Sequence, residues 1–518
     1  MSALMALAMG ETPIVTREPP KAGLRAWAAL VVLMLPVLMV SMDNTVLSFA
    51  LPALSAALAP GGTELLWVVD IYAVMLAGLL VAMGSLGDRI GRRRLLLVGA
   101  VGFGAVSVLA AYSPTVEVLI LSRALLGIFG ATLMPSTLSL LRNIFLDRAQ
   151  RRLAIAVWAA GFSGGAALGP IVGGYLLEHF SWGSVFLINV PVVLALLPLA
   201  RVLVPESRNP TPGPVDPISI ALSMTAMLPI VYAMKAVAEH GLTNSVLGAT
   251  AIGIASAVAF VRRQRELTHP LLDLELFADR AFSGALLSNL LSIMALAGFL
   301  FFSAQLLQLV IGLSPMNAAM VLVPGLLATI AAGLVAVRLV RYVPVRVLVS
   351  GSFVVSATGY AIAAFVGDSP TTASVTVAFA VLGTGIGLAE TLTNDVIIAT
   401  APAHKAGAAS AISETAYEIG AVLGTAVLGG ILTATYRAGV IVPFEVTQPA
   451  AVGSVETLGG ATESARSLTG GAQQVLLDSA HAAFDVGVQR TSAVAILIAL
   501  GAAAVAYVTL GDDRPNKS

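Results

Sequence analysis

Cysteine is absent from the chain, and with it any disulfide framework, thiolate metal site or cysteine nucleophile. Charge is almost as scarce: Asp, Glu, Lys and Arg make up 11% of 518 residues, too little polar surface to wrap a soluble globule of this length. The 28 basic and 28 acidic residues cancel, and no basic tract with interleaved aromatics occurs, so nucleic acid is not an expected partner. There is no close histidine pair and no Gly-x-x-x-x-Gly-Lys-Ser/Thr loop. An enzyme, a metal centre, a bound cofactor and ATP-driven chemistry are all unexpected on these grounds.

What fills the chain instead is apolar. Hydrophobic residues make up 58% of it, in recurrent runs of about 20, the length that spans a hydrocarbon core about 30 Å thick. The first run, from Trp27, is too long for a secretory signal, contains Asp43 and continues without a small-residue cleavage site, so it reads as a retained helix. Hydropathy with Gly, Pro and charge punctuation predicts fourteen spans, near 27–53, 65–86, 95–112, 117–141, 153–177, 184–204, 217–237, 246–261, 283–311, 317–337, 347–366, 373–399, 407–434 and 491–511. With the N-terminus in the cytoplasm, Arg89, Arg92, Arg93, Arg94, Arg148, Arg151, Arg152, Arg262, Arg263, Arg265, Arg338, Arg341 and Arg346 lie inside. Only Lys235, Arg437, Arg466 and Arg490 lie outside. A count one span different would invert this positive-inside bias.

The expected class is therefore an all-α membrane protein with both termini cytoplasmic. Its expected parts are a tail (1–26), a six-helix bundle (27–204), a linker with two extra helices (205–263), a second six-helix bundle (264–511) and a tail (512–518). The second bundle carries a long external segment, 435–490, whose amphipathic run Val475–Val486 suggests an outward extension of the last helix. Six, two and six spans suggest a duplicated transporter, here expected to be a monomer, with its substrate site between the halves. An excess of Arg over Lys in an Ala-, Gly- and Val-rich chain points to a bacterial source and a bacterial cytoplasmic membrane.

The intramembrane acids Asp43, Asp70, Glu390, Asp395, Glu414 and Glu418 carry the chemistry. An ionised acid facing lipid is costly, so these should face a wet cavity or hold protons. Glu414 and Glu418, four apart on one helical face, repel each other, which favours a proton on one of them until a cation enters and favours its release. Protons and cations alternately occupying the same acids, with the two loaded states open to opposite sides, make a minimal antiporter. Asp43, Glu414 and Glu418 are the leading candidates. Asp70, a few residues into its span, also reads as a vestibule charge, and Asp395 as a rim residue. Tyr72 and Tyr417, like Trp67 and Trp158, could stack on a planar cation in a cavity; Trp67 and Trp182 equally suit the interfacial belt.

Between spans 2 and 3, Gly84, Asp88, Arg89, Gly91 and Arg92, with Arg93 and Arg94 following, form a glycine-closed turn with one acid among four bases. Asp88 could pair with an arginine or a helix N-terminus and latch one conformation, or the turn could be a plain positive-inside anchor. This order of Gly, Asp, Gly and Arg resembles the loop-2/3 motif of the major facilitator superfamily. Arg123, Gly127 and Gly130 resemble its Arg-x-x-x-Gly pattern, and Gly161, Gly165, Gly169, Pro170, Gly173 and Gly174 the motif of its antiporters. Asp43 to Pro52, Trp182 with Phe186 to Pro191, and Pro270 to Phe277 resemble its fourteen-helix drug:proton branch. Within that branch, Leu66 to Tyr72 and Glu414 to Gly420 are most like quaternary-ammonium and dye exporters.

The resemblance implies the major facilitator fold, a proton gradient as the driving force in place of a cofactor, and hydrophobic cations, protons and the bilayer as partners. It also implies proton coupling at Arg123, the only base that reads as lying well inside a span. Burying it costs about 2.5–3.5 kcal/mol unless partners are found, and the plainer reading is a structural arginine on helix-end carbonyls. The span 5 glycines could equally be packing alone. Glu390 and Asp395 depart from the branch's pattern, and Ser413 replaces an acid found in some relatives, which leaves the cargo open. Two other functions remain: export of a neutral or zwitterionic metabolite or antibiotic, or a non-transporting receptor or scaffold.

Overall fold

A computed structural model describes residues 21–208, 216–268, 270–365, 370–402, 405–446 and 450–510. The expected C-terminal tail, most of the N-terminal one and much of the linker after Pro205 lie outside the described residues. Among the described residues, fourteen helices are long and apolar enough to cross a bilayer: α1 Leu24–Leu58, α2 Gly62–Ile90, α3 Arg92–Ala111, α4 Val116–Ile144, α5 Leu153–His179, α6 Ser184–Leu203, α7 Pro217–Val237, α8 Asn244–Glu266, α9 Arg280–Val310, α10 Pro315–Leu339, α11 Val345–Phe365, α12 Thr372–Thr400, α13 Ala408–Gly439 and α14 Gly471–Thr509. Among the described residues there is no β-strand.

Thirteen helices match the predicted spans to within a turn or two. The last span, expected over 491–511, is the core of α14, which starts at Gly471 and runs 39 residues, so the amphipathic run Val475–Val486 does extend it outward as the sequence suggested. At about 1.5 Å per residue it is roughly 60 Å long, about twice the hydrocarbon thickness. Its first half is amphipathic, burying Leu476, Ala480, Ala483, Phe484, Gly487 and Val488. Much of 435–490 is therefore helix: the end of α13, two short helices at Ala450–Glu456 and Leu458–Ala465, and the start of α14. The expected domain boundary at 263 also falls inside a helix, since α8 continues to Glu266.

Helices α1–α6 close around a first core that includes Leu33, Val40, Phe103, Leu126 and Leu133. Helices α9–α14 close around a second, where Phe299 stacks on Phe379 at 5.1 Å and buried Tyr360 donates to Ala295 O at 2.5 Å. The extra pair is clamped at one end: Asp216 caps α7 by accepting from Ile218 N and takes two nitrogens of Arg263 on α8 at 2.8 and 2.9 Å. The pair is not peripheral. Helix α7 lies on both α2 and α13, at the seam between the halves.

The halves also meet through α5 on α10 and α2 on α13. The end of the bundle opposite Arg89–Arg94 is sealed across the seam. There Gln308 of α9 donates to Phe49 O of α1 at 3.1 Å, and Ser314 donates to Glu178 of α5 at 3.0 Å. Glu456 of the short hairpin accepts from Gly62 N at the start of α2 (3.1 Å) and pairs with Arg437 of α13 (3.0 Å). At the arginine-rich end, Lys405 pairs with Asp273 within the second half at 2.8 Å, and Gln264 of the extra pair accepts from Leu272 N at 3.1 Å.

Candidate functional site

The buried charge gathers in three places along the inner helices. Inside the first half, α4 delivers Arg123 to Asp43 of α1, and both side chains are almost fully enclosed. Arg123 Nε also donates to Val68 O at 3.1 Å, and its guanidinium lies over the Tyr72 ring at 4.5 Å. Arg123 is thus paired with an acid and bonded to a backbone carbonyl, so both sequence readings describe part of its setting. Tyr72 departs from the cavity-lining role expected of it: it is fully buried beneath Arg123, while Tyr417 is half-buried.

The second place is the seam itself. Asp70 of α2 pairs with Lys235 of α7 at 2.8 Å, with exposures of 2% and 0%, and accepts a hydrogen bond from Thr425 of α13. The Lys235 ammonium also sits 4.1 Å from the centroid of Trp67. This overturns one expectation, since Lys235 is no external charge but a base buried within a span, and of the two readings of Asp70 its burial disfavours the vestibule charge. Thr425 belongs to a wide π turn, Gly424–Gly429, in an otherwise α-helical α13; such turns recur at functional positions because they re-aim side chains.

The third place is the inner face of α13. Buried Glu418 accepts from Asn44 of α1 at 3.4 Å, across the seam, and its second oxygen has no hydrogen-bond partner. Glu414, one helical turn before Glu418 on α13, and Glu390 of α12 are half-buried. Tyr417 meets Phe162 of α5 edge-on at 5.3 Å. Towards the arginine-rich end, Ser413 donates to Asn394 at 2.7 Å and accepts from Asn289 at 3.3 Å, a polar chain joining α9, α12 and α13. Asp395 is exposed and outside this group.

The antiporter-motif glycines form the back of α5. Gly165, Gly169 and Gly173 lie against Leu38, Thr45 and Val46 of α1, with Pro170 buried beside them. Gly174 faces the other half, where an added Cβ would stand 2.9 Å from Met316 Cα and 3.0 Å from Pro315 O of α10. One helix face therefore sets both a contact within the first half and a contact across the seam.

In the α2–α3 turn, α2 continues to Ile90 and α3 starts at Arg92, so the whole reversal falls on Gly91 at φ +109°. That backbone conformation favours glycine. Gly84, by contrast, sits within α2 in ordinary contact with Pro135. Asp88 pairs with Arg92 on the next helix at 2.7 Å, and Arg89 is exposed. The acid at the start of α3 is instead Glu206, from the segment after α6, which accepts from Arg93 N and Ser207 N, each at 3.0 Å. The roles of Glu206, Lys235 and Thr425 were not anticipated from the sequence, and Asn44 entered only as part of the Asp43 to Pro52 stretch. Glu206 and the base-rich helix start that it meets are far apart in the chain, so no local pattern links them.

Buried acids on inner helices, counter-charges from within the first half and from the extra helix pair, polar contacts across the seam and one sealed end describe a transporter. The chain matches the Major Facilitator Superfamily model over residues 33–425 and belongs to that superfamily; it is a multi-pass membrane transporter. The multidrug efflux pump LfrA of Mycolicibacterium smegmatis is 52% identical over 497 residues, covering 96% of this chain and 98% of that one. The methyl viologen resistance protein SmvA of Salmonella typhimurium is 36% identical over 482 residues, covering 92% and 97%. Among solved structures, a bacterial homolog of the human lysosomal transporter Spinster, inward-facing and unoccupied, aligns with a TM-score of 0.65 at 18% identity, over 96% of this chain and 100% of that one. That likeness is one of fold.

Proposed function

We propose that this protein is a multidrug exporter of a bacterial cytoplasmic membrane that exchanges lipophilic cations for protons, with both termini in the cytoplasm. The observation that carries the reading is Glu418: a carboxylate buried in a membrane-spanning helix, bonded across the seam to Asn44, with one oxygen lacking a hydrogen-bond partner. Such a group is best satisfied by a proton or a cation. Glu414 and Glu390 add acids to the same wall, and Phe162 and Tyr417 add aromatic faces suited to planar cations. The name of one relative supports this cargo, since methyl viologen is an organic dication.

The energies are adequate. A carboxylate about 4 Å from a cation gains about 4 kcal/mol at an effective dielectric near 20, before desolvation. Each proton moving down about 100 mV contributes about 2.3 kcal/mol. Rocking of the halves about the α5–α10 and α2–α13 contacts would then expose the acids to one side at a time. The test is efflux of a fluorescent lipophilic cation from proteoliposomes on an imposed pH gradient, with Asp43, Asp70, Glu414 and Glu418 each changed to the amide. Gradient-driven efflux that one or more amides abolish supports the reading. A wild-type protein that moves no cation under any gradient sinks it.

A further inference from the structure

Lys235 is fully enclosed in a membrane-spanning helix, where an ammonium is expensive to keep. Among the described residues its partners are Asp70 Oδ2 at 2.8 Å and the face of Trp67 at 4.1 Å. The other carboxylate oxygen accepts from Thr425, which belongs to the opposite half of the molecule. A carboxylate, an aromatic face and a hydroxyl are the parts from which a site for an organic cation is built. Here the protein fills it with its own lysine. A junction that served packing alone would be no less stable with apolar side chains, because a buried ion pair rarely outperforms its hydrophobic replacement.

The surroundings point to the same chemistry. An apolar groove of about 470 Å³ lies between α7, α8 and α13, lined among others by Met234, Val237, Thr250, Ala426 and Val427. Met234 and Ala426 are each one residue along their helices from Lys235 and Thr425, a rotation of about 100°, so the groove runs beside the buried pair, and Asp70, Lys235 and Thr425 are enclosed behind its wall. A molecule with an apolar body and a cationic head fits this pairing of an oily groove with a single buried acid.

We propose that Asp70, Trp67 and Thr425 form a site for the head of a lipophilic cation, that the groove between α7 and α13 takes its apolar body, and that Lys235 is a tethered cation holding the site when cargo is absent. The proposal rests on the cation-export reading for the identity of the cargo. Cargo must displace Lys235 from Asp70 to bind, and the return of Lys235 on its flexible stem ejects it. Because α2, α7 and α13 meet there, the change of occupant is felt by both halves and by the extra helix pair.

The test uses the purified full chain in detergent. Lys235→Ala leaves the site open to n-propylammonium, which should raise that variant's melting temperature saturably while leaving wild type and the Lys235→Ala/Asp70→Asn double variant unmoved. Lys235→Met should bind tetraphenylphosphonium at least about tenfold more tightly than wild type, a difference of about 1.4 kcal/mol, and lose that gain when Asp70→Asn is added. Absence of propylammonium stabilisation, stabilisation that survives Asp70→Asn, or unchanged tetraphenylphosphonium affinity in Lys235→Met would each overturn the proposal. If the single variants do not fold, the exchanged pair Asp70→Lys/Lys235→Asp keeps the charges matched but takes the carboxylate away from Thr425. Lost cation binding in the folded exchanged protein supports the proposal, and wild-type binding in it refutes it. The propylammonium result needs no transport, so a wild-type chain that moves no cation would fail the export reading while this site is judged on its own.

Discussion

The guanidinium of Arg123 on α4 is locked to the carboxylate of Asp43 on α1, and the same guanidinium reaches Val68 O at 3.1 Å and covers Tyr72. Three helices of the first half are thereby joined through one side chain. Arg123 supplies a planar fork that contacts several partners at once, which a lysine cannot reproduce.

Replacing Arg123 by alanine leaves Asp43 buried without its counter-charge, a loss of about 3–5 kcal/mol for such a pair. Arg123→Lys should be milder in stability but still lose Val68 O, and export should fall at least about tenfold. The double change Asp43→Asn/Arg123→Met removes both charges and should recover most of the stability without recovering export. Thermal melting and proteoliposome efflux, measured on the same preparations, separate the two effects. Recovery of export by the double change would show that the pair is structural only.

The acids differ in what they can do, and the structure ranks them. Glu418→Gln keeps the size and the Asn44 contact but removes the ionisable group, so gradient-driven cation efflux should fall at least about tenfold with little change in melting temperature. Asp395 is exposed and apart from the group, so Asp395→Asn should stay within about twofold of wild type. Equal effects of the two changes would remove the case for Glu418 as the coupling acid.

Much of this was legible from sequence because a bilayer imposes a simple rule: about 20 apolar residues per span, with bases at one end. The rule fails where helix leaves the membrane. The first half of α14 carries Asp478, His481, Asp485 and Arg490, so its hydropathy is low, although Leu476, Ala480, Ala483 and Phe484 recur at helical spacing. It fails again for long-range pairing. Lys235 lies close to the end of its span beside Glu239 and His240, which makes it look external; its partner Asp70 is on another helix far away in the chain, and no local pattern reports such a meeting. Thr425 was equally silent, since a single hydroxyl in a span reads as packing until its neighbour is known, and Asn44 was visible beside Asp43 but its partner Glu418 was not.

The α5–α10 contact predicts a conformational effect. Gly174 faces backbone, not a yielding side chain, with Met316 Cα 2.9 Å and Pro315 O 3.0 Å from the position of an added Cβ. Gly174→Ala should therefore push the halves apart at the sealed end, with Gly174→Leu stronger. The Ser314 hydroxyl meets the Glu178 carboxylate at 3.0 Å, so cysteines introduced at these two positions should be joined by a short bifunctional thiol reagent that makes up for the lost length of the glutamate, and more slowly once Gly174 is enlarged. An unchanged cross-linking rate in Gly174→Leu would mean that the sealed end does not depend on this approach.

The last prediction concerns the clamp on the extra helix pair. Arg263, the Ser219 hydroxyl and the first N–H groups of α7 hold the Asp216 carboxyl well below the usual carboxylate range, the arginine being the largest influence. A carboxyl with a depressed folded-state pKa contributes stability that is present above its unfolded value, about 3.9, and is lost as pH falls towards the folded one. Asp216→Asn retains some capping but loses the charge, so wild type should melt higher than the variant by an amount worth about 1 kcal/mol near pH 7. That gap should hold down to about pH 5 and shrink below about pH 4. Melting curves of both proteins across this range, in a detergent that tolerates acid, decide it. A gap that widens in acid would mean that Asp216 is held as the neutral acid and that the α7–α8 clamp is not an ion pair.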